Sequence, residues 1–383
     1  MKLILIGNYQ PDGQESMQRF AQMLSEGVQQ KGISVDCWRP KAIVGRPFAS
    51  TNAGVGKWAG YVDKWILFPL YLRLRRLFLN NKKTRFHICD HSNAPYLKHL
   101  PKQTTAITCH DVIAVRAGLG YAGTYVSASK MGKLLQQWIL QNLRAAQHLA
   151  AVSRLTLEQL KELTHPAEEA KNWRVVHNGF NAPFFPLDKT ECTATMAKAG
   201  LHGGEAFILH VGSDLPRKNR KLLLEMVATL GSQWTGKICF AGKALEPEMW
   251  QHAKRLELEK RIVSVVKPDH QTLQALYTMC EAFIFPSFSE GFGWPVIEAQ
   301  ACGAPVIASN IEPMPEIGGE AALFADPAKP ETFSRAFLRL QEKGIREEMI
   351  QKGFCNVRRF QPEMMIQEYL KIHGLAAYVS ESN

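Results

Sequence analysis

The stretch Phe283–Ser309, FIFPSFSEGFGWPVIEAQACGAPVIAS, decides how this 383-residue chain is read. Ala282 to Phe285 is a short apolar run closed by a proline, which predicts a buried strand. Pro286 to Trp294 contains one Pro, two Gly and two Ser and predicts an irregular loop. Pro295 suits the first turn of a helix, where its missing N–H costs nothing. Val296 to Ala301 continues that helix, Gly303 ends it, and Pro305 to Ala308 predicts the next strand. Strand, glycine loop, helix and strand thus follow one another. Free backbone N–H groups and the positive end of the dipole at such a helix start suit a phosphate or a sugar hydroxyl. Two carboxylates frame the loop: Glu290 within it, Glu298 in the first turns of the helix. By spacing alone, they could equally be two solvated helix-end carboxylates.

Working outward, the length predicts two domains, each able to bury its own core. A 46% hydrophobic and 21% charged composition is that of a globular protein. The formal net charge of +11 favours an anionic partner: nucleic acid, an acidic lipid surface or a nucleoside diphosphate. Eight cysteines without a C-x-x-C pair predict reduced core thiols in a cytosolic protein. Met1 to Ile6 is too short for a signal sequence, and no run approaches the length of a membrane span.

At the start of the chain, KLILI (Lys2 to Ile6), a loop with Gly13, helical spacing of Phe20, Met23, Leu24 and Val28, and a strand over Ile33 to Trp38 predict the opening unit of a doubly wound sheet. Ligands of such sheets bind at the carboxyl ends of the strands, which places Asp12 to Ser16 at a cleft. An ordinary turn with Ser16 capping the helix is the alternative. Phe48 to Gly60 is small and polar and predicts a mobile loop. Its GVGK lacks the spaced glycine and the Ser/Thr of a phosphate-binding P-loop, which is rejected. Lys57 to Arg85, KWAGYVDKWILFPLYLRLRRLFLNNKKTR, interleaves eight cations with aromatic residues against one acid, Asp63. It could lie in an anionic membrane interface, pack its apolar face on the first domain with a wet basic face, or stack on bases. No recognisable nucleic-acid module accompanies it. Thr104 to Cys109 predicts a strand running into His110, whose side chain would reach the cleft; a buried structural histidine is the alternative.

The second domain is expected to open at Phe207 to Val211, running into GSDLPRKNRK. Gly212 permits close backbone approach, and Arg217 and Lys218 fall where a helix should begin. An Arg fork and a Lys point charge there would neutralise a diphosphate; an exposed basic helix start is the alternative. Lys237 to Ala241 and Ile262 to Val266, the latter followed by Lys267, predict further strands. Pro362 to Ile372 predicts a final amphipathic helix.

EGFGWPVIEA, with FPS before it and ACGAPVIAS after it, resembles the donor-site signature of retaining nucleotide-sugar glycosyltransferases of the GT-B family (glycosyl transferases group 1). The resemblance covers nearly all of the second domain and extends more weakly over the first. It implies an α/β GT-B fold, two doubly wound Rossmann-like domains facing a central cleft. Residues 1–186 would be the acceptor-side domain, 205–360 the donor-binding domain with a linker over 187–204, and 361–383 a C-terminal helix crossing back to the first domain. It implies that Glu290 holds the donor sugar's hydroxyls, Glu298 the ribose hydroxyls, and His110 approaches the donor sugar. Donor binding would further use Gly13, Gly212, Arg217, Lys218, Lys267, Gly291, Phe292, Gly293 and Val296. Two departures stand: Gly13 replaces the usual double glycine, and Ser213 stands where an Arg often follows the glycine. The implied reaction moves a sugar from a nucleoside-diphosphate donor to a glycan or lipid-linked glycan acceptor, and the RKN version of the diphosphate motif leans toward GDP-mannose. No D-x-D occurs, so no metal and no other cofactor is expected. The expected location is cytoplasmic, peripheral on the inner face of the plasma membrane, without nucleic acid. Rival readings are a nucleotide-sugar epimerase, a phosphorylase, or a basic nucleic-acid-binding protein with a degenerate donor site.

Overall fold

A computed structural model describes residues 1–48, 51, 54–80, 82–125, 129–165, 171–202 and 204–380. The chain forms two compact units, one of Met1–Tyr121, Val126–Asn181 and Pro362–Asn383, the other of Ala122–Tyr125 and Ala182–Gln361. Each is built on one six-stranded, wholly parallel sheet.

In the first unit the strands are β1 (Lys2–Ile6), β2 (Ser34–Trp38), β3 (Thr84–Ile88), β4 (Thr105–Cys109), β5 (His148–Ala151) and β6 (Asn172–Val175), in spatial order β2-β1-β3-β4-β5-β6. The order reverses between β1 and β3, and the polar ends of those strands meet there. The Asn8 amide donates to Asp90 Oδ2 at 2.6 Å, and Asn93 donates to Asn8 Oδ1 at 3.1 Å. Burial raises the pKa of Asp90, but contacts with His91, His110 and Ser92 outweigh it and hold the group ionised. The helix Pro362–Ile372 belongs to this unit. It is tied in by a buried chain: His373 Nε2 to His87 Nδ1 at 3.2 Å, His87 Nε2 to Thr108 Oγ1 at 2.9 Å, and Thr108 to Tyr369 OH at 2.8 Å.

In the second unit the strands are β7 (Phe207–Gly212), β8 (Lys237–Gly242), β9 (Ile262–Val266), β10 (Ala282–Phe285), β11 (Val306–Ser309) and β12 (Ala322–Ala325), in spatial order β12-β11-β10-β7-β8-β9. This is the doubly wound order with its reversal between β7 and β10. The central strands are buried on both faces: Ile208, Leu209, Ile284 and Ile307 are all fully enclosed.

Several local expectations change. Ser16 does not cap its helix, which starts at Glu15 behind Gln14; Gly13 instead closes a helical turn at φ +68°. The loop over Phe48–Gly60 gives way to helix at Gly54, while residues 49, 50, 52 and 53 lie outside the described ones. Residues 187–204, read as linker for their polar character, hold the helix Lys189–Lys198 of the second unit. Asp188 caps that helix, and its buried Cys192 and Met196 show why it forms. All eight cysteines are free thiols, but Cys37 and Cys355 are exposed rather than in the core.

The segment from Lys57 packs an apolar face on the first unit, as one of the readings above expects. It is helical from Gly54 to Val62 and from Phe68 to Arg76, with a π turn at Asp63–Leu67 between. One face, with Phe68 and Leu72, joins the core. Trp58, Ile66, Leu70 and Leu74, four to eight residues apart, remain 50–61% exposed. The wider π turn takes up part of the drift that a spacing of four accumulates on an α-helix. Not all the cations are free: Lys64 pairs with Asp12 at 2.8 Å and Arg76 donates to the His99 carbonyl at 3.0 Å.

Candidate functional site

The carboxyl ends of β7 and β10 bring together two stretches far apart in sequence. After β7, Gly212 leads through Asp214 into a single helical turn, Pro216–Lys218, closed by Asn219 in the left-handed region. Arg217 and Lys218 therefore sit in this turn, before the helix Lys221–Leu230 rather than at its start. After β10 comes the glycine loop. The two loops are laced: Phe288 N–H donates to the Arg217 carbonyl at 2.8 Å, Arg217 Nη1 to the Ser289 carbonyl at 2.8 Å, and the Asn219 amide to the Pro286 carbonyl at 3.2 Å.

Within this frame Glu290 meets both cations. Its Oε2 lies 2.7 Å from Arg217 Nη1 and its Oε1 2.6 Å from Lys218 Nζ; the three side chains are 8–18% exposed. Burial pushes the Glu290 carboxyl up, but Lys218 and Arg217 outweigh it and hold it below the ordinary carboxylate range. Burial, helped by Arg217, pulls Lys218 down, opposed by Glu290. One carboxylate thus balances two cations, leaving a local positive charge against the loop that leads into a helix.

That helix is Trp294–Ala301, led in by Gly293 at φ +108°. A Cβ at Gly293 would also stand 2.7 Å from Met314 Cε, so the position requires glycine. Phe292 is buried and Gly291 partly so. Val296 is wholly buried and its N–H donates to the Gly293 carbonyl, so it shapes the loop from within. Glu298, one turn on, accepts from Tyr277 OH at 3.0 Å and is 7% exposed. Gly212 pairs in register with Gly242, where a Cβ would stand 2.4 Å from the Gly212 carbonyl oxygen. The strand ends here meet backbone against backbone, which keeps side chains out of the space above. Lys267 follows β9 at φ +46°, exposed, with its N–H on the Gly242 carbonyl at 2.8 Å.

Sequence reading missed His210. It lies in FILHVG with Nδ1 on the Ile284 carbonyl at 3.1 Å. A carbonyl only accepts, so Nδ1 carries the proton and Nε2 is an acceptor. That Nε2 is buried and without a partner, and it would stand 3.2 Å from a Cβ at Gly212. Burial lowers the His210 pKa to about 3. The signal was present: a histidine in an otherwise apolar strand, two residues before its terminal glycine.

In the first unit His110 is 8% exposed, its Nε2 donating to the Cys89 carbonyl at 2.9 Å and its ring edge-on to Phe20. Burial lowers its pKa, so it is neutral with Nδ1 as acceptor. Gly13 lies in the loop after β1, three residues from Gln10, whose carbonyl accepts its N–H at 3.0 Å.

Residues 193–354 match the family model described as glycosyl transferases group 1. The chain is 27% identical over 249 residues to O-antigen chain mannosyltransferase B of Escherichia coli, covering 63% of this chain and 64% of that protein. It is 24% identical over 281 residues to O-antigen chain mannosyltransferase RfbU of Salmonella typhimurium, covering 73% and 70%. In three dimensions it is similar to the sucrose-phosphate synthase of Thermosynechococcus elongatus, with a TM-score of 0.71, 18% identity and all of both chains covered. The matched segment, residues 193–354, is the one that holds the two laced loops and is similar to the group 1 glycosyltransferases, and the chain has the two-domain Rossmann-like GT-B fold.

Proposed function

We propose that the protein is a retaining glycosyltransferase that moves mannose from GDP-mannose to a glycan or lipid-linked glycan acceptor without a metal ion. The observation that carries this reading is the meeting of Arg217 and Lys218 with Glu290, in the loop that leads into helix Trp294–Ala301, at the β7/β10 reversal. Breaking the bond from the sugar's C1 to the diphosphate leaves negative charge on the departing oxygen. Fixed cations and backbone N–H groups in a poorly hydrated site stabilise that charge without reorganisation. Lys218 serves as the point charge and Arg217 as the planar donor. The acceptor oxygen bonds C1 from the face the diphosphate leaves, and the departing phosphate oxygen takes the acceptor's proton. No protein nucleophile is assigned. Glu290 orients the sugar hydroxyls, Glu298 the ribose, Lys267 lies by the base, and His110 helps position the sugar.

The choice of mannose is supported by the two mannosyltransferase relatives and by the PRKN turn. Peripheral attachment to the inner face of an anionic membrane is supported by the exposed apolar stripe of Trp58, Ile66, Leu70 and Leu74 beside Lys57 and Arg73. No described helix is long and apolar enough to cross a membrane.

A thermal-shift panel of GDP, UDP, ADP and a mixed-sequence oligonucleotide tests the reading. GDP is expected to raise the melting temperature most. Stabilisation by the oligonucleotide alone would overturn it in favour of a nucleic-acid-binding protein. Turnover of donor without a second acceptor would point to an epimerase.

A further inference from the structure

The first unit contains a cavity of about 570 Å³ that the donor reaction does not use. It opens at the carboxyl ends of β1 and β2, between residues 37–43 and the helical segment that carries the exposed stripe. Trp38, Ile43, Leu67, Phe68 and Tyr71 give it a largely apolar wall. Its volume lies in the range of roughly 300–1,000 Å³ typical of small-molecule sites.

The charged groups on the wall divide cleanly. Asp63, the acid among them, is spent on the protein. Its Oδ1 accepts from Val44 N–H at 2.9 Å, and its Oδ2 from Ile43 N–H, Gly45 N–H and Tyr9 OH at 3.2, 2.9 and 2.8 Å. These bonds pin the chain at residues 43–45 against the helical segment, so the wall is held rather than collapsed. The cations are less consumed. Lys41 is exposed, and Arg39 is half-buried with its Nη2 donating to Cys37 Sγ at 3.5 Å; behind the wall the Arg75 guanidinium lies 5.5 Å from the Trp38 ring and 5.9 Å from the Tyr71 ring. An apolar chamber with a cationic rim is complementary to one class of ligand, an alkyl or isoprenoid chain ending in a phosphate. The rim residue Ile43 is 61% exposed, and the neighbouring stripe residues Ile66 and Leu70 are 55% and 50% exposed, so apolar surface runs from the chamber outward.

We propose that this cavity binds the hydrocarbon chain of a lipid phosphate, with the phosphate at Lys41 and Arg39. The inference deepens the acceptor side of the proposed function and rests on that reading only in identifying the ligand as the acceptor's lipid end. The binding itself needs no donor.

The test measures equilibrium binding of octyl phosphate and dodecyl phosphate, both below micelle formation, by calorimetry. Burial of each added methylene is expected to raise affinity about fourfold, so the four added here give roughly two-hundredfold. Dodecyltrimethylammonium, with the same chain and opposite charge, is expected to bind at least tenfold more weakly, and inorganic phosphate not to compete at millimolar concentration. Lys41→Glu, at an exposed position, is expected to weaken dodecyl phosphate about tenfold while leaving GDP binding unchanged. Ile43→Glu, also exposed, is expected to do the same by placing a carboxylate at the rim. Equal affinity for the two chain lengths, equal binding of the ammonium, or no effect of either variant would overturn the proposal. Loss of GDP binding by the wild type in the same experiments would instead count against the donor reading.

Discussion

Glu290 and Lys218 form an ion pair of 2.6 Å whose side chains are 8% and 11% exposed. Glu290 also holds Arg217 at 2.7 Å. Under the proposed function, one carboxylate keeps two cations in place while the site is empty, then competes with the donor phosphates for them. The competition makes the sign of its mutational effects unusual.

Glu290→Gln keeps the shape and removes the charge. Nucleoside diphosphate is then expected to bind more tightly, by about 1–2 kcal/mol, the size of one charge-assisted hydrogen bond no longer shared. Turnover is expected to fall about 10²–10³-fold as sugar orientation is lost. Calorimetry with GDP and initial rates with the sugar donor measure both. Weaker GDP binding by the variant would refute the competition. Lys218→Ala is expected to lose donor affinity instead.

Tyr277 OH sits 3.0 Å from Glu298 Oε2 in a buried setting. Tyr277→Phe removes one hydrogen bond to Glu298, about 0.5–1.5 kcal/mol. The donor KM is expected to rise a few-fold with kcat nearly unchanged, since ribose contacts hold ground and transition states alike. Glu298→Gln is expected to raise KM further. The penalty should vanish with a donor lacking ribose hydroxyls; a penalty that persists with such a donor would remove Glu298 from ribose recognition.

The stripe of Trp58, Ile66, Leu70 and Leu74 places four large apolar residues on a wet face. Replacing Ile66 and Leu70 with Ser should abolish co-sedimentation with vesicles rich in anionic lipid while changing the urea midpoint little, because these side chains contribute little to the core. Wild-type binding that is equally negligible to anionic and neutral vesicles would end the membrane reading.

Acid should destabilise the fold through its buried histidines. Burial, the largest influence in each case, lowers the pKa of His210 and His373 to about 3 and depresses His87 and His110. The unfolded chain binds protons at these sites near pH 6.5 while the folded chain does not, so stability is lost as pH falls below about 6.5 and continues to fall toward 3. At pH 5 His210 and His373 each cost about 2 kcal/mol. Urea titrations from pH 8 to 4.5 measure the slope, and His373→Gln should flatten it. A stability that stays level between pH 7 and 5 would contradict this assignment.

Much of the fold was legible because the signals are local. The apolar run of β10, the glycine loop, Pro295 and Gly303 each constrain the chain within a few residues, and β7, β8, β9 and β11 lie within one residue of their sequence-read bounds. The misses are local too. Residues 187–204 looked polar, but an Asp188 cap and two inward side chains suffice for a helix that packs on its unit. The segment from Lys57 to Arg85 admitted several readings, since helical periodicity shows which residues share a face but not which face meets the core.

What the amino-acid order determined by itself is the set of strands and helices, the loops between them, and the residue types offered at the strand ends. What only the tertiary structure decided is their company: that β7 lies beside β10, so Arg217 and Lys218 meet Glu290, and that His210 is enclosed with one ring nitrogen unpaired. Propensity and turn chemistry act over a few residues along the chain. Charge balance and desolvation depend on distance through space, which is set only when the sheet is assembled.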